Sequence, residues 1–236
     1  MNKEDLAILY EDNHIIVVFK PQNVPCCEDS TGDKDLLTTI KEYVKDKYNK
    51  PGNAYVGLVH RLDRVTGGVM VYAKSSKAAS RLSEGMREGD FEKKYLTVLV
   101  GTMREKRAVL TDYMKKNTVN NMVYVCPSTV EGAKKAELDY KIIEEKNGFS
   151  LVAVRLHTGR THQIRVQFSS RGVPVYGDMR YGGEKAVKGK IALWAASLSF
   201  SHPVSGERLT FKVEPPLDQM PWKLFDINDD VLIYDK

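Results

Sequence analysis

Residues 59–68 read VHRLDRVTGG, a stretch that puts one acid between two arginines and follows it with a Gly-Gly turn. Apolar runs lie on either side, at residues 55–59 and 69–73, so the chain has to reverse between two strands at this point. Gly67 and Gly68 supply the backbone freedom for the reversal. Asp63 is thereby placed on a loop between strands, where a rigid scaffold can hold a reactive side chain. Arg61 and Arg64 beside it favour a charged carboxylate, the form that acts as a base or a nucleophile. The same pattern also describes an ordinary surface ion pair. The rest of the chain has to decide.

Short β-branched runs at 7–10 and 14–19 are divided by Glu11, Asp12 and Asn13 and predict two strands. Residues 22–34 contain Pro25 and Gly32, lack periodicity and predict a loop. Leu36, Leu37, Ile40, Tyr43, Val44 and Tyr48 recur at helical spacing after a cap at Asp33 or Asp35, and Lys50, Pro51 and Gly52 stop the run. A second helix is expected over 76–86 and a third over 161–170. Strands are expected at 95–100, 107–114, 122–126, 136–144, 150–156, 191–200 and 208–213, with a loop at 174–183. Short polar connections favour antiparallel pairing. The expectation is an α+β protein: a single mixed domain spanning residues 1–236, with a large, mainly antiparallel sheet flanked by helices and loops.

Hydrophobic residues make up 42% of the chain and charged residues 28%, a balance that buries a core and keeps a solvated surface. No apolar run approaches the roughly 20 residues that cross a bilayer, so no membrane partner is expected. The opening MNKEDLAILYEDN shows no secretory pattern, which points to the cytoplasm. Three cysteines, two of them the adjacent Cys26 and Cys27, make no disulfide framework. The five histidines fall in no ligand spacing, and no metal is expected. Net charge is +5, but residues 214–236 hold six acids against Lys223 and Lys236, so the first 213 residues carry +9. That excess suits a polyanionic partner.

VHRLDRVTGG and the VMVYAK that follows it resemble the catalytic motif of the RluA family of pseudouridine synthases. Residues 92–101, EKKYLTVLVG, are similar to that family's tyrosine-bearing strand, and residues 156–178, LHTGRTHQIRVQFSSRGVPVYGD, to its other long motif. VFKP at 18–21 and SFSHP at 199–203 extend the resemblance over nearly the whole chain. It implies the pseudouridine synthase fold and a cofactor-free isomerisation of uridines in structured ribosomal or transfer RNA. Relative to many family members, it implies the catalytic domain without their N-terminal RNA-binding domain. A monomer is expected.

Asp63 matches the family's catalytic aspartate. The resemblance further implies that Tyr95 packs against the target base and that Arg165 pairs with the aspartate. Both roles make physical sense, because a flipped base needs a surface to replace lost stacking and a buried carboxylate needs a cation. Arg61 matches a position that contacts RNA beside the flipped nucleotide, and Lys20, Arg160 and Arg180 are candidates for phosphate contacts. His60 and His162 read as structural hydrogen-bonding residues. Gly67, Gln167 and Trp194 depart from the family's usual serine and histidines without removing a proposed catalytic group. Two other readings compete: a noncatalytic RNA-binding protein that retains the fold, and an aspartate-dependent hydrolase. The hydrolase lacks the second motif-placed carboxylate that most glycosidases use.

Overall fold

Isoleucine and valine fill residues 15–18 and recur at 69 and 71, and both runs become strands with these side chains almost wholly removed from solvent. The computed structural model describes residues 1–49 and 51–233. Lys50 of the first helix stop, and Asp235 and Lys236 of the acidic tail, lie outside the described residues. In chain order the strands are β1 (Ile8–Glu11), β2 (Ile15–Lys20), β3 (Gly57–Leu58), β4 (Gly67–Ala73), β5 (Glu92–Val100), β6 (Arg107–Lys116), β7 (Val123–Cys126), β8 (Lys134–Lys146), β9 (Phe149–Leu156), β10 (Leu193–Ser201) and β11 (Arg208–Lys212). Three helices matter here: α1 (Leu36–Lys47), α2 (Ser76–Glu88) and α3 (Gln163–Ser169). The class is α+β, as the sequence predicts. These elements fall into two compact units, each made of two stretches of chain: Met1–Glu92 with Ser197–Val213, and Lys93–Ala196 with Glu214–Lys236.

In the first unit, β2 pairs antiparallel with β1 and with β4, from Ile15 opposite Ala73 to Lys20 opposite Gly68. Ser197–Ser201 of β10 form a hairpin with β11. Ile15, Val17, Val69, Val71, Leu198 and Phe200 build the core, which Ala78 and Leu82 of α2 cover. Ser75 caps α2 by accepting the Ala78 N–H, and Gly89 ends it with φ +84°. Asp35, rather than Asp33, caps α1 through the Thr38 N–H at 2.9 Å. The strand expected at 55–59 shrinks to Gly57–Leu58. His60 Nε2 accepts the Val71 N–H at 3.1 Å, so an imidazole takes over a donor of β4 that a longer β3 would have used. His60 is thus a structural hydrogen-bonding residue.

In the second unit the strand order is β5, β9, β8, β6, β7, with antiparallel pairing throughout. Alternation along β6 turns Leu110, Asp112 and Met114 towards α3. Val166 packs against Met114, Val123 and Ala136, while the Phe168 ring meets Tyr140 edge-on at 5.5 Å. Gln167 Nε2 donates to Asp112 Oδ2 at 2.7 Å, so α3 keeps a polar residue inside by pairing it. The helix starts at Gln163 instead of residue 161, because His162 is held left-handed at φ +54°.

Candidate active site

Asp63 lies in the loop between β3 and β4, half-buried, and segment 20–26 grips its neighbours on both sides. Ahead of it, the Cys26 thiol donates to the Leu62 carbonyl at 3.1 Å and accepts the Leu62 N–H at 3.3 Å. Behind it, the Arg64 carbonyl accepts the Asn23 N–H at 2.8 Å and the Lys20 ammonium at 3.0 Å. Gln22 Nε2 donates to the Val65 carbonyl at 3.1 Å, and the Thr66 N–H closes a turn onto the Asp63 carbonyl at 2.9 Å. Backbone groups that a loop would otherwise give to water are therefore paired one after another, which fixes the path of the chain at residue 63.

Two expectations change here. Arg64 does not direct its charge along the loop to Asp63: its guanidinium donates to Thr31 Oγ1 at 2.7 Å and pairs with Asp29 and Asp33. Lys20, expected to reach an RNA phosphate, is 0% exposed. It ends β2 opposite Gly68, and its Nζ is spent on the Pro21 and Arg64 carbonyls. Burial pushes its pKa down to about 8, against the upward pull of the neighbouring Cys26 and Asp63. Lys20 is a clip beneath the Asp63 loop, and its burial leaves no route to a phosphate.

In the second unit, Tyr95 sits in β5 opposite Val154 and is 8% exposed. Arg165 projects from α3 and is 6% exposed. Its Nε donates to Asp178 Oδ2 at 2.7 Å and its Nη2 to Asp178 Oδ1 at 2.8 Å, while its guanidinium carbon stands 5.1 Å from the Tyr181 ring centre. Tyr181 Oη meets His162 Nδ1 at 2.7 Å, which makes His162 structural, as expected. Burial raises the Tyr181 pKa, so this hydroxyl stays protonated. The loop before α3 is wired by one buried amide. Gln163 Oε1 accepts from Thr158 Oγ1 at 2.7 Å and from the Arg160 N–H at 3.0 Å, and its Nε2 donates to the Glu137 carbonyl at 3.1 Å.

The remaining basic candidates are at the surface. Arg61 is exposed. Arg160 is exposed with its Nε on the Lys135 carbonyl at 2.8 Å, and Arg180 holds the Asn120 carbonyl at 3.1 Å. All three keep donors that a phosphate can use. Among the described residues no group of three or more His, Cys, Asp or Glu side chains is placed to hold a metal ion, and no helix is long and apolar enough to cross a membrane. Sequence reasoning missed Cys26 and Gln163 as the groups that fix these loops, and Asp178 as the partner of Arg165. Asp178 closes the long motif, but a separation of 13 residues carries no sign of pairing.

Comparison with known proteins identifies the family. Residues 14–170 match the family model described as RNA pseudouridylate synthase. A ribosomal large subunit pseudouridine synthase D from Vibrio cholerae is 32% identical over 93% of this chain and 70% of its own. The Bacillus subtilis protein described as the uncharacterized RNA pseudouridine synthase YjbO is 34% identical over 90% of this chain and 74% of its own. The solved structure of human RNA pseudouridylate synthase domain containing 1 superposes with a TM-score of 0.72 at 26% identity, covering 92% of this chain and 86% of that one. The chain belongs to the RNA pseudouridylate synthase family and is an isomerase that makes pseudouridine in RNA.

Proposed function

We propose that residues 1–236 act as one catalytic domain, a cytoplasmic monomer that modifies large-subunit ribosomal RNA with Asp63 as its catalytic carboxylate. The choice of RNA follows the Vibrio cholerae relative, whose name gives that substrate. The observation that carries the role of Asp63 is its cradle, which ties residues 62, 64 and 65 to segment 20–26 and leaves residue 63 half-open. Catalytic groups gain most when their geometry is set before substrate arrives.

The reaction breaks the bond between ribose C1′ and uracil N1, turns the base and joins C1′ to C5. The C5 proton leaves and N1 gains one, so atoms and electrons balance without a redox partner. Asp63 assists by adding to the ring, by adding to the ribose or by removing a ribose proton. Tyr95 supplies the surface for the turned base, and Arg165, oriented by Asp178, supplies a fixed cation to the reaction. Arg61, Arg160 and Arg180 add phosphate contacts.

Pseudouridine mapping on ribosomal RNA treated with purified protein tests this. Asp63→Asn is expected to lower single-turnover conversion by at least about 10³-fold while RNA binding persists, the scale of losing a catalytic acid, base or nucleophile. Ordinary turnover by the variant would remove Asp63 from the mechanism. Conversion confined to transfer RNA would overturn the choice of substrate.

A further inference from the structure

Among the described residues, the buried Lys20 and Lys74 both have protein partners for their ammonium groups. The Lys20 ammonium holds two carbonyls, and that of Lys74 holds Glu11 and the Asp12 carbonyl. Lys93, half-buried at the start of the second unit, has no hydrogen-bond or ion-pair partner for its side chain among the described residues. Burial, with nothing to offset it, pulls its pKa below the usual lysine value. An ammonium that loses water and gains no acceptor weakens the fold. Such a group is kept where an anion arrives from outside.

Its position says which anion. Lys93 and Tyr95 are two residues apart on β5, so their side chains leave the same face of the strand. Across from Lys93 stands the loop that Gln163 wires in place, and the ammonium lies 3.5 Å from the point where a Cβ on Gly159 would stand. Gly159 does not have the positive φ that calls for glycine, so its backbone does not explain the missing side chain. The gap leaves that side of the ammonium uncovered.

We infer that Lys93 is a substrate-binding residue whose ammonium takes a non-bridging oxygen of the phosphodiester adjoining the target uridine, on the Tyr95 face of β5. The assignment rests on the reading that Tyr95 meets that uridine. An RNA that places its base on Tyr95 carries a phosphate within a nucleotide of it, and an uncompensated, partly desolvated cation binds such a charge more strongly than a solvated surface lysine does. The flanking Arg160, exposed on the same loop, adds to the positive field.

The test uses a stem–loop RNA that the wild-type protein converts. Lys93→Met, which keeps the apolar stem, is expected to raise the RNA dissociation constant about tenfold, the scale of one hydrogen bond to a charged group. It is also expected to make the slope of log affinity against log salt shallower by about one unit. The melting temperature of the free variant stays level or rises, because the uncompensated charge is gone. Gly159→Val, which covers the ammonium without removing it, is expected to weaken RNA binding to the same degree and to add nothing to Lys93→Met. A methylphosphonate 5′ or 3′ of the target uridine weakens binding to wild type at one of the two positions and has no further effect on Lys93→Met there. Unchanged affinity and salt slope in Lys93→Met, or equal methylphosphonate losses in both proteins, overturn the assignment while leaving the proposed reaction standing. If wild type converts no RNA, the proposed reaction and the role of Lys93 fall together.

Discussion

Arg165 and Asp178 meet as a closed two-pronged ion pair, Nε to Oδ2 at 2.7 Å and Nη2 to Oδ1 at 2.8 Å, with the carboxylate 1% exposed. The same Asp178 Oδ1 also accepts the Arg180 and Tyr181 N–H groups at 3.0 and 3.1 Å. Asp178 is therefore fixed to the backbone of its own turn before it fixes Arg165. A planar guanidinium locked by a planar carboxylate, with the Tyr181 ring against it, has little freedom to turn. What Asp178 does in the fold is orient the Arg165 guanidinium.

Breaking this pair is expected to be costly. Asp178→Ala leaves the Arg165 charge buried against a gap and two backbone N–H groups without their acceptor, so a loss of about 3 kcal/mol or more is expected in urea denaturation. Asp178→Asn keeps an acceptor and the shape and should retain more stability, while single-turnover conversion falls because the charged two-pronged hold on Arg165 is lost. A denaturation midpoint for Asp178→Ala within error of wild type would show that the pair contributes little.

RNA affinity is expected to fall steeply with salt. The first 213 residues carry +9, and the exposed Arg61, Arg160 and Arg180 each offer donors to a phosphate. Each neutralised phosphate releases counterions, so log affinity should decline linearly with log salt with a slope of several units, and competitor RNAs should share most of that term. Filter binding across a salt series measures it. A flat line would mean that base contacts alone hold the RNA.

How much of this was legible in the sequence depended on the range of the interaction. The Asp63 loop, the strands around it and the α2 face follow from local apolar spacing and turn residues, and they appear within a few positions of where the pattern puts them. Lys20 was misread because a lysine at the end of a β-branched strand looks like a surface terminus. Its burial needs the bare Gly68 opposite and a carbonyl from a loop 44 residues away. Arg64 was misread for the mirror reason: adjacency to Asp63 in sequence suggested a partner, but its acids come from the loop at 29–33. Neither unit could be seen as a unit, since each is built from two stretches of chain with no linker composition at the joins.

The burial of Lys20 makes a prediction whose sign can be worked out. In the folded protein its pKa is about 8, below the unfolded value of 10.5. Between those pH values the unfolded chain holds a proton on this group that the folded chain has lost, so raising the pH favours folding. Below pH 8 both states are protonated and the contribution is constant at its least favourable value. Across the window from pH 8 to 10.5 the folded state is expected to gain about 3 kcal/mol from this one residue, since each unit of pKa shift is worth about 1.4 kcal/mol and full burial leaves little screening. Tyr10 and Tyr72, whose pKa values burial raises, lose stability only above pH 10, and they do so with or without Lys20. The measurement is therefore a difference: chemical denaturation of wild type and Lys20→Met at steps from pH 7 to 10.5. The stability of wild type relative to the variant should stay level up to pH 8 and climb above it. A difference that stayed level through pH 10 would mean that the ammonium keeps its normal affinity for its proton, and that the carbonyls of Pro21 and Arg64 replace the water it gave up.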